Sequence, residues 1–185
     1  MKRTFFIVLI STVLFIQCSK EDNRFLITNH QVGALTATTT VSQLDSIFKQ
    51  DSIVRPKTES NLLSTSTAIQ IYEKGGKHLL TLTPTSKNSS DAVIEHIQIF
   101  DERYQTEKGL HLMSTFKDLK DNYTIASIQN TLNNVIITLK DSDIYITIDK
   151  EQLPEALRFG SNNVIEKTQI PDTATFKYVM ISWRD

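Results

Sequence analysis

Ile69-Gln70-Ile71-Tyr72-Glu73-Lys74-Gly75-Gly76-Lys77-His78-Leu79-Leu80-Thr81-Leu82 has the pattern of two short strands joined by a glycine turn. Ile69 and Ile71 alternate with polar neighbours, which is the period of a half-buried strand. Gly75-Gly76 then supplies two residues free to take the positive φ angles of a tight turn, and Leu80 and Leu82 resume the alternation on the return. This is an antiparallel hairpin. The pattern recurs further along the chain. Val93 to Phe100 reads as a strand with Ile97 and Ile99 on one face. Val135, Ile137 and Leu139 alternate, Lys140 to Asp143 turns, and Ile144, Ile146 and Ile148 alternate again. Phe176 to Trp183 places Val179, Ile181 and Trp183 on a shared face. Strands of this period and composition predict a largely antiparallel sheet.

Helices are fewer, and two of them open alike. Thr40-Val41-Ser42-Gln43-Leu44 is followed by Phe48, and Thr115-Phe116-Lys117-Asp118-Leu119 by Tyr123. Thr40 with Gln43 has the spacing of a capping box, in which the hydroxyl accepts from first-turn amides and the longer side chain reaches back. Thr115 with Asp118 is the weaker version, because an aspartate is one methylene shorter. Each follows a glycine and leucine, Gly33-Ala34-Leu35 and Gly109-Leu110. The expected fold is therefore α+β, a largely antiparallel sheet with two or three short helices. Two repeated units of strand, glycine turn and capped helix would explain the similarity. Chance likeness of two amphipathic helices is the competing explanation.

The N-terminus reads as an address. Lys2 and Arg3 precede Phe5 to Ile16, an uncharged stretch whose hydroxyls are Ser11 and Thr12 alone. A permanent span needs about 20 apolar residues, so this length fits the core of a cleaved leader, residues 1–17. Leu14-Phe15-Ile16-Gln17-Cys18 resembles a lipobox, the site at which a diacylglyceryl group is attached to the cysteine before cleavage. Phe15 and Gln17 depart from the usual leucine and small residue, a relaxation familiar in Bacteroidota. Cys18 is the one cysteine of the chain, so no internal disulfide can form, and acylation would consume its thiol. A buried structural cysteine behind an ordinary leader is the alternative. Ser19, Lys20, Glu21 and Asp22 follow, with serine rather than aspartate in second place, which favours outer-membrane delivery. Either the periplasmic face or the cell surface fits this run of charges.

The organisation expected is a leader over 1–17, a lipidated tether over 18–24 and one α+β domain over 25–185. The 168 residues beyond the leader suffice for a single core. Arg55 to Ser66, with Pro56 and five Ser or Thr residues, reads as a surface loop. The mature net charge is about −3 and the lysines are scattered, so nucleic acid is not an expected partner.

Val32-Gly33-Ala34-Leu35-Thr36-Ala37 comes first, then Gly109-Leu110 with Thr115-Phe116-Lys117-Asp118-Leu119, then Ile170-Pro171-Asp172 leading to Ile181-Ser182-Trp183-Arg184. In that order, and over roughly Ile27 to Arg184, the chain resembles the RpoE-regulated lipoproteins, small envelope proteins classed as a domain of unknown function. The resemblance implies an outer-membrane lipoprotein of mixed α+β fold, and it supplies no substrate, cofactor or mechanism.

Chemistry-bearing motifs are thin. No Gly-x-Ser-x-Gly, His-Glu-x-x-His or phosphate loop occurs. His30, His78, His96 and His111 fall in separate elements, with His96 beside Glu95 and a candidate to approach His111. A metal would need three or more such ligands to converge, so no metal and no cofactor are expected. Asp101-Glu102 and Asp141-Ser142-Asp143 sit at strand ends, where carboxylates satisfy turn amides. The tripeptides Asp45-Ser46-Ile47, Asp51-Ser52-Ile53 and Asp172-Thr173-Ala174 match the O-glycosylation pattern of exported Bacteroidota proteins, making Thr173, Ser52 and Ser46 candidate acceptors. The expected role is a non-catalytic binding or structural one at the outer membrane, held by lipid on Cys18 and facing another envelope protein or polymer. The alternative is an envelope hydrolase whose catalytic residues are dispersed along the chain.

Overall fold

The computed structural model describes residues 23–56, 67–86, 89–161 and 163–183. The leader, Cys18, the tether up to residue 22, residues 57–66 of the spacer and Arg184 lie outside the described residues. Among these residues twelve strands form two sheets, accompanied by few helices. In chain order they are β1 (Leu26–Thr28), β2 (Gln31–Val32), β3 (Leu35–Thr36), α1 (Leu44–Ile47), β4 (Ser52–Val54), β5 (Ile69–Tyr72), β6 (His78–Pro84), β7 (Ile94–Ile99), β8 (Gln105–Thr106), α2 (Phe116–Asn122), β9 (Ile125–Asn130), β10 (Asn134–Leu139), β11 (Ile144–Asp149) and β12 (Tyr178–Ser182). The large sheet has the order β4-β5-β6-β7-β12-β11-β10-β9, and the small one β3-β2-β1-β8. The architecture is α+β in the coarse sense, with the β component dominant.

Every neighbouring pair in the large sheet is antiparallel. The β5–β6 turn (73–77), the start of β12 and the β9–β10 turn (131–133) therefore share one end of the sheet, here called the upper end. The β10–β11 turn (140–143) lies at the lower end. The β5–β6 hairpin has the expected register, Ile71 opposite Leu80 and Ile69 opposite Leu82, with Gly75 and Gly76 at φ +120° and +95°. Three register shifts, one each in the β5–β6, β6–β7 and β9–β10 pairs, put extra residues at Leu79, Glu95 and Ala126. Each is a bulge that resets which face the following residues take. That is why Leu79 and Leu80 are both buried, as are Ile94 and Ile97 across an odd spacing.

At the centre of the sheet β7 pairs with β12, with Ile97 opposite Ile181, Gln98 opposite Met180 and Ile99 opposite Val179. The inner face of the sheet, including Ile71, Leu82, Ile97, Ile99, Val135, Ile137, Ile146 and Ile181, packs in one apolar cluster with Ile27, Leu35, Leu44, Leu110, Phe116 and Leu119 from the layer above it. Burial of this kind stabilises by about 25 cal/mol per Å² of apolar surface and is the main force holding the two layers together.

The two capped segments differ from expectation. Of the predicted helices, α2 alone runs to seven residues; the Thr40 segment is a 3-10 turn (Val41–Gln43) followed by the four residues of α1. Ser42, Asp45, Ser46 and the β-branched Val41 and Ile47 are weak helix formers, which accounts for the brevity. Both expected capping boxes form, and the one expected to be the weaker adds a full side-chain cap bond that Thr40 lacks. Asp118 Oδ2 accepts from both the Thr115 amide and its hydroxyl at 2.8 Å, and the Asp118 amide donates to Thr115 Oγ1 at 3.3 Å. At Thr40, the amide donates to Gln43 Oε1 at 2.9 Å.

Candidate functional site

The most highly charged site grows from the end of β7. Asp101 is fully buried, and its Oδ1 accepts the Arg103 amide at 3.0 Å, as a turn carboxylate should. It also does more. The Arg103 guanidinium bonds both of its oxygens, with Nη2 to Oδ2 at 2.6 Å, and Lys77 Nζ stands 3.2 Å from Oδ2. The same guanidinium reaches Glu73 in the β5–β6 turn with two bonds of 3.0 and 2.9 Å. Burial pushes the Asp101 carboxyl up, but the bonds from Arg103 and Lys77 outweigh it and bring the pKa down to about 2. Arg103 lies 4.4 Å over the Phe25 ring, and Phe25 meets Tyr104 edge-on at 5.0 Å. The cluster ties three segments together at the upper end. Glu102 is exposed.

Beside it opens a cleft of about 460 Å³, lined among others by Arg24, Gly33, Phe48, Lys49, Asp51 and Tyr104. Arg24 Nη2 bonds Asp51 Oδ1 at 2.7 Å across it. Gly33 has φ +56°, and a Cβ there would stand 2.3 Å from the Arg24 carbonyl oxygen, so the close approach of the β2–β3 turn to the 3-10 turn before β1 requires glycine. Burial raises the Tyr104 phenol well above its ordinary value, so it stays neutral and cannot serve as a base near pH 7. The cleft offers an ion pair, aromatic walls and a lysine. That is chemistry for holding a polar group.

The histidines remain apart. His30, exposed and at φ +61°, has Nδ1 2.9 Å from Asp143 Oδ2, and its amide donates to the same oxygen. His78 is stacked between Tyr72 at 4.6 Å and Phe100 at 3.8 Å, and burial lowers its pKa. His96 stands opposite Ser182 in the large sheet with its Nδ1 buried and unbonded, while His111 bridges Gln105 beside the small sheet and accepts the Met113 amide. Among the described residues no three of His, Cys, Asp and Glu come together as metal ligands. The acceptor candidates Ser46, Ser52 and Thr173 are all exposed, on α1, at the first position of β4 and in the loop before Ala174. Asp141, at φ +54°, and Asp143 cap the β10–β11 turn and hold Asn29 and His30.

Sequence reasoning missed Arg24, Phe48 and Tyr104 as neighbours, because they come from three separate segments and carry no shared motif. It also missed Lys150. This lysine is 2% exposed, and its amine donates to the carbonyl oxygens of Thr131, at 3.1 Å, and Gly160. Among the described residues no helix is long and apolar enough to cross a membrane.

No protein-family model matches this chain, and no curated protein matches it. Among solved structures it is similar to the uncharacterized protein YfeY from Escherichia coli, with a TM-score of 0.53 at 14% identity, over 84% of this chain and 98% of that one. The two proteins share a fold, and at that identity the fold is what the likeness conveys.

Proposed function

We propose that this protein is a lipid-anchored lipoprotein of the cell envelope, related to the RpoE-regulated lipoproteins, with a non-catalytic binding or structural role at the outer membrane. The observation that carries the reading is the N-terminal pattern: Lys2-Arg3, an uncharged stretch from Phe5 to Ile16, and then the lone Cys18 a few residues before the first described element at Asn23. Support for a non-catalytic role comes from the site chemistry. The shifted carboxylates, Asp101, Glu73, Asp118 and Asp149, are each bonded to an Arg, Lys or Thr partner and lowered, whereas a general acid or base working near neutrality needs a pKa close to 7. The partner is another envelope protein or polymer. Cells fed tritiated palmitate should label the wild-type protein and leave Cys18→Ala unlabelled; an unlabelled wild type would reject the reading.

We further propose that the domain is built from two repeated units. Two capped segments support this. Thr40 bridges Val93 with the Val41 amide donating to Ala92, and Thr115 bridges Thr175 with the Phe116 amide donating to Ala174. The register at the sheet centre supports it too. If Ile97 stands for Val179, Gln98 for Met180 and Ile99 for Ile181, the β7–β12 pairing maps onto itself, with Gln98 and Met180 on the axis. Strands β4 to β7 form one half, and β9 to β12 the other.

A further inference from the structure

The three most exposed large hydrophobic side chains among the described residues are Leu132, Phe159 and Val164, at 70%, 76% and 79%. Phe159 and Val164 share one connection and Leu132 lies far from both in sequence, yet hydrogen bonds join their neighbours. The buried Lys150 amine, at the end of β11, donates to the carbonyls of Thr131 and Gly160, next to Leu132 and Phe159. Asn130 Nδ2 donates to the Asn163 carbonyl at 2.8 Å, next to Val164. The connections that carry all three therefore meet at one tip, at the upper end of the sheet by the β9–β10 turn. Isolated exposed apolar residues are ordinary, but three of them on connections tied together by a buried lysine put exposed apolar surface at one place. The chain around Leu132 is uncharged, with no Asp, Glu, Lys or Arg between Asp121 and Lys140, while Arg158 precedes Phe159 and supplies a cation beside the tip.

The same end of the sheet holds the beginning of the domain. Arg24 is fixed to Asp51, which immediately precedes Ser52, the partner of Tyr72 at the upper end of β5. Phe25 lies under Arg103, which grips Glu73 in the upper β5–β6 turn. From Cys18 to Asn23 is five residues, a reach of at most about 18 Å even when fully extended. Seven strand spacings separate β4 from β9, about 34 Å at ordinary sheet geometry. A lipidated Cys18 thus brings one side of the upper end to the bilayer, and the apolar tip stands on the other side of that same end. We propose that Leu132, Phe159 and Val164 form a second membrane contact that dips into the phospholipid headgroup region and sets the orientation of the domain. This rests on the lipid anchor at Cys18. A lipid surface is the occupant that the geometry favours, because the tether delivers that end of the sheet to it.

The test uses the full lipidated chain, purified from cells and incorporated into vesicles of phosphatidylethanolamine and phosphatidylglycerol. Phe159→Cys and Val164→Cys, and Thr85→Cys at the lower end as control, each carry the environment-sensitive fluorophore NBD, since the native thiol is blocked by acylation. Vesicle flotation reads the anchor, and the fluorophore reads the tip. The proposal expects all three proteins to float, NBD at 159 and 164 to shift to the blue and lose emission when nitroxide-bearing acyl chains are included, and NBD at 85 to keep its aqueous spectrum. Flotation with an aqueous spectrum at 159 and 164 overturns the tip contact and leaves the anchor standing. A blue shift that nitroxide lipids do not quench also overturns it, in favour of a protein surface covering the tip. Failure of every protein to float removes the anchor and the tip contact together.

Discussion

Asp101 shows how one buried carboxylate can fix the acid stability of the molecule. Its folded pKa of about 2 is below the ordinary value of 3.8, so its stabilisation is complete above about pH 4 and is lost as pH falls towards 2. A shift of that size is worth about 2 kcal/mol. Asp101→Asn should lower stability by about 2 kcal/mol at neutral pH and flatten the loss between about pH 4 and 2, read by urea denaturation at a series of pH values. An unchanged acid limb would mean that Arg103 and Lys77 do not hold this charge. Lys150 gives a second residue-scale prediction. Lys150→Met keeps the stem buried but leaves the carbonyls of Thr131 and Gly160 without a donor, at a cost of about 1–3 kcal/mol. Hydrogen exchange should speed up around residues 131–133 and 158–161, while the central strands β7 and β12 keep their protection.

The caps separate the two short helical elements. Thr115→Ala removes an acceptor for the Asp118 amide and a donor to its carboxylate, and should cost about 1 kcal/mol, whereas Thr40→Ala, which leaves the amide bond to Gln43 in place, should cost less. Thermal unfolding of the two variants gives the comparison, and equal losses would contradict the ranking. The same elements show what could be read from the residues. The hairpins at Gly75-Gly76 and at Lys140 to Asp143 were legible because Ile69, Ile71, Ile137 and Ile146 alternate cleanly on one buried face. Strand β9 was not. It lies at the sheet edge, and its bulge at Ala126 leaves the half-buried Ile125 and Ile128 three residues apart, which erases the period of two. β1, β2 and β3 are two or three residues long, too short for any period. The charged cluster was hidden for another reason: Glu73 and Arg103 lie on different strand connections, and lysines and aspartates are expected at the surface, so nothing local announces that Asp101 and Lys150 are buried.

On the scale of the whole molecule, we propose that lipid on Cys18 holds at a membrane a domain with one apolar core and, among the described residues, no membrane-spanning helix. Each buried methylene contributes about 0.8 kcal/mol, so one acyl chain holds a protein marginally and two or more hold it firmly. The tip at Leu132, Phe159 and Val164 is too small to replace such an anchor, and its role is to orient. Replacing the cysteine should therefore release the protein without unfolding it, because Cys18 precedes every packed element described. The most direct measurement is fractionation of cells carrying wild type or Cys18→Ala, with circular dichroism and melting temperature measured on the released protein. Wild type should pellet with membranes, Cys18→Ala should move to the soluble fraction, and the released protein should melt where the lipidated one does. A Cys18→Ala protein that still pellets after a high-salt wash, and is not aggregated, would contradict the lipid anchor.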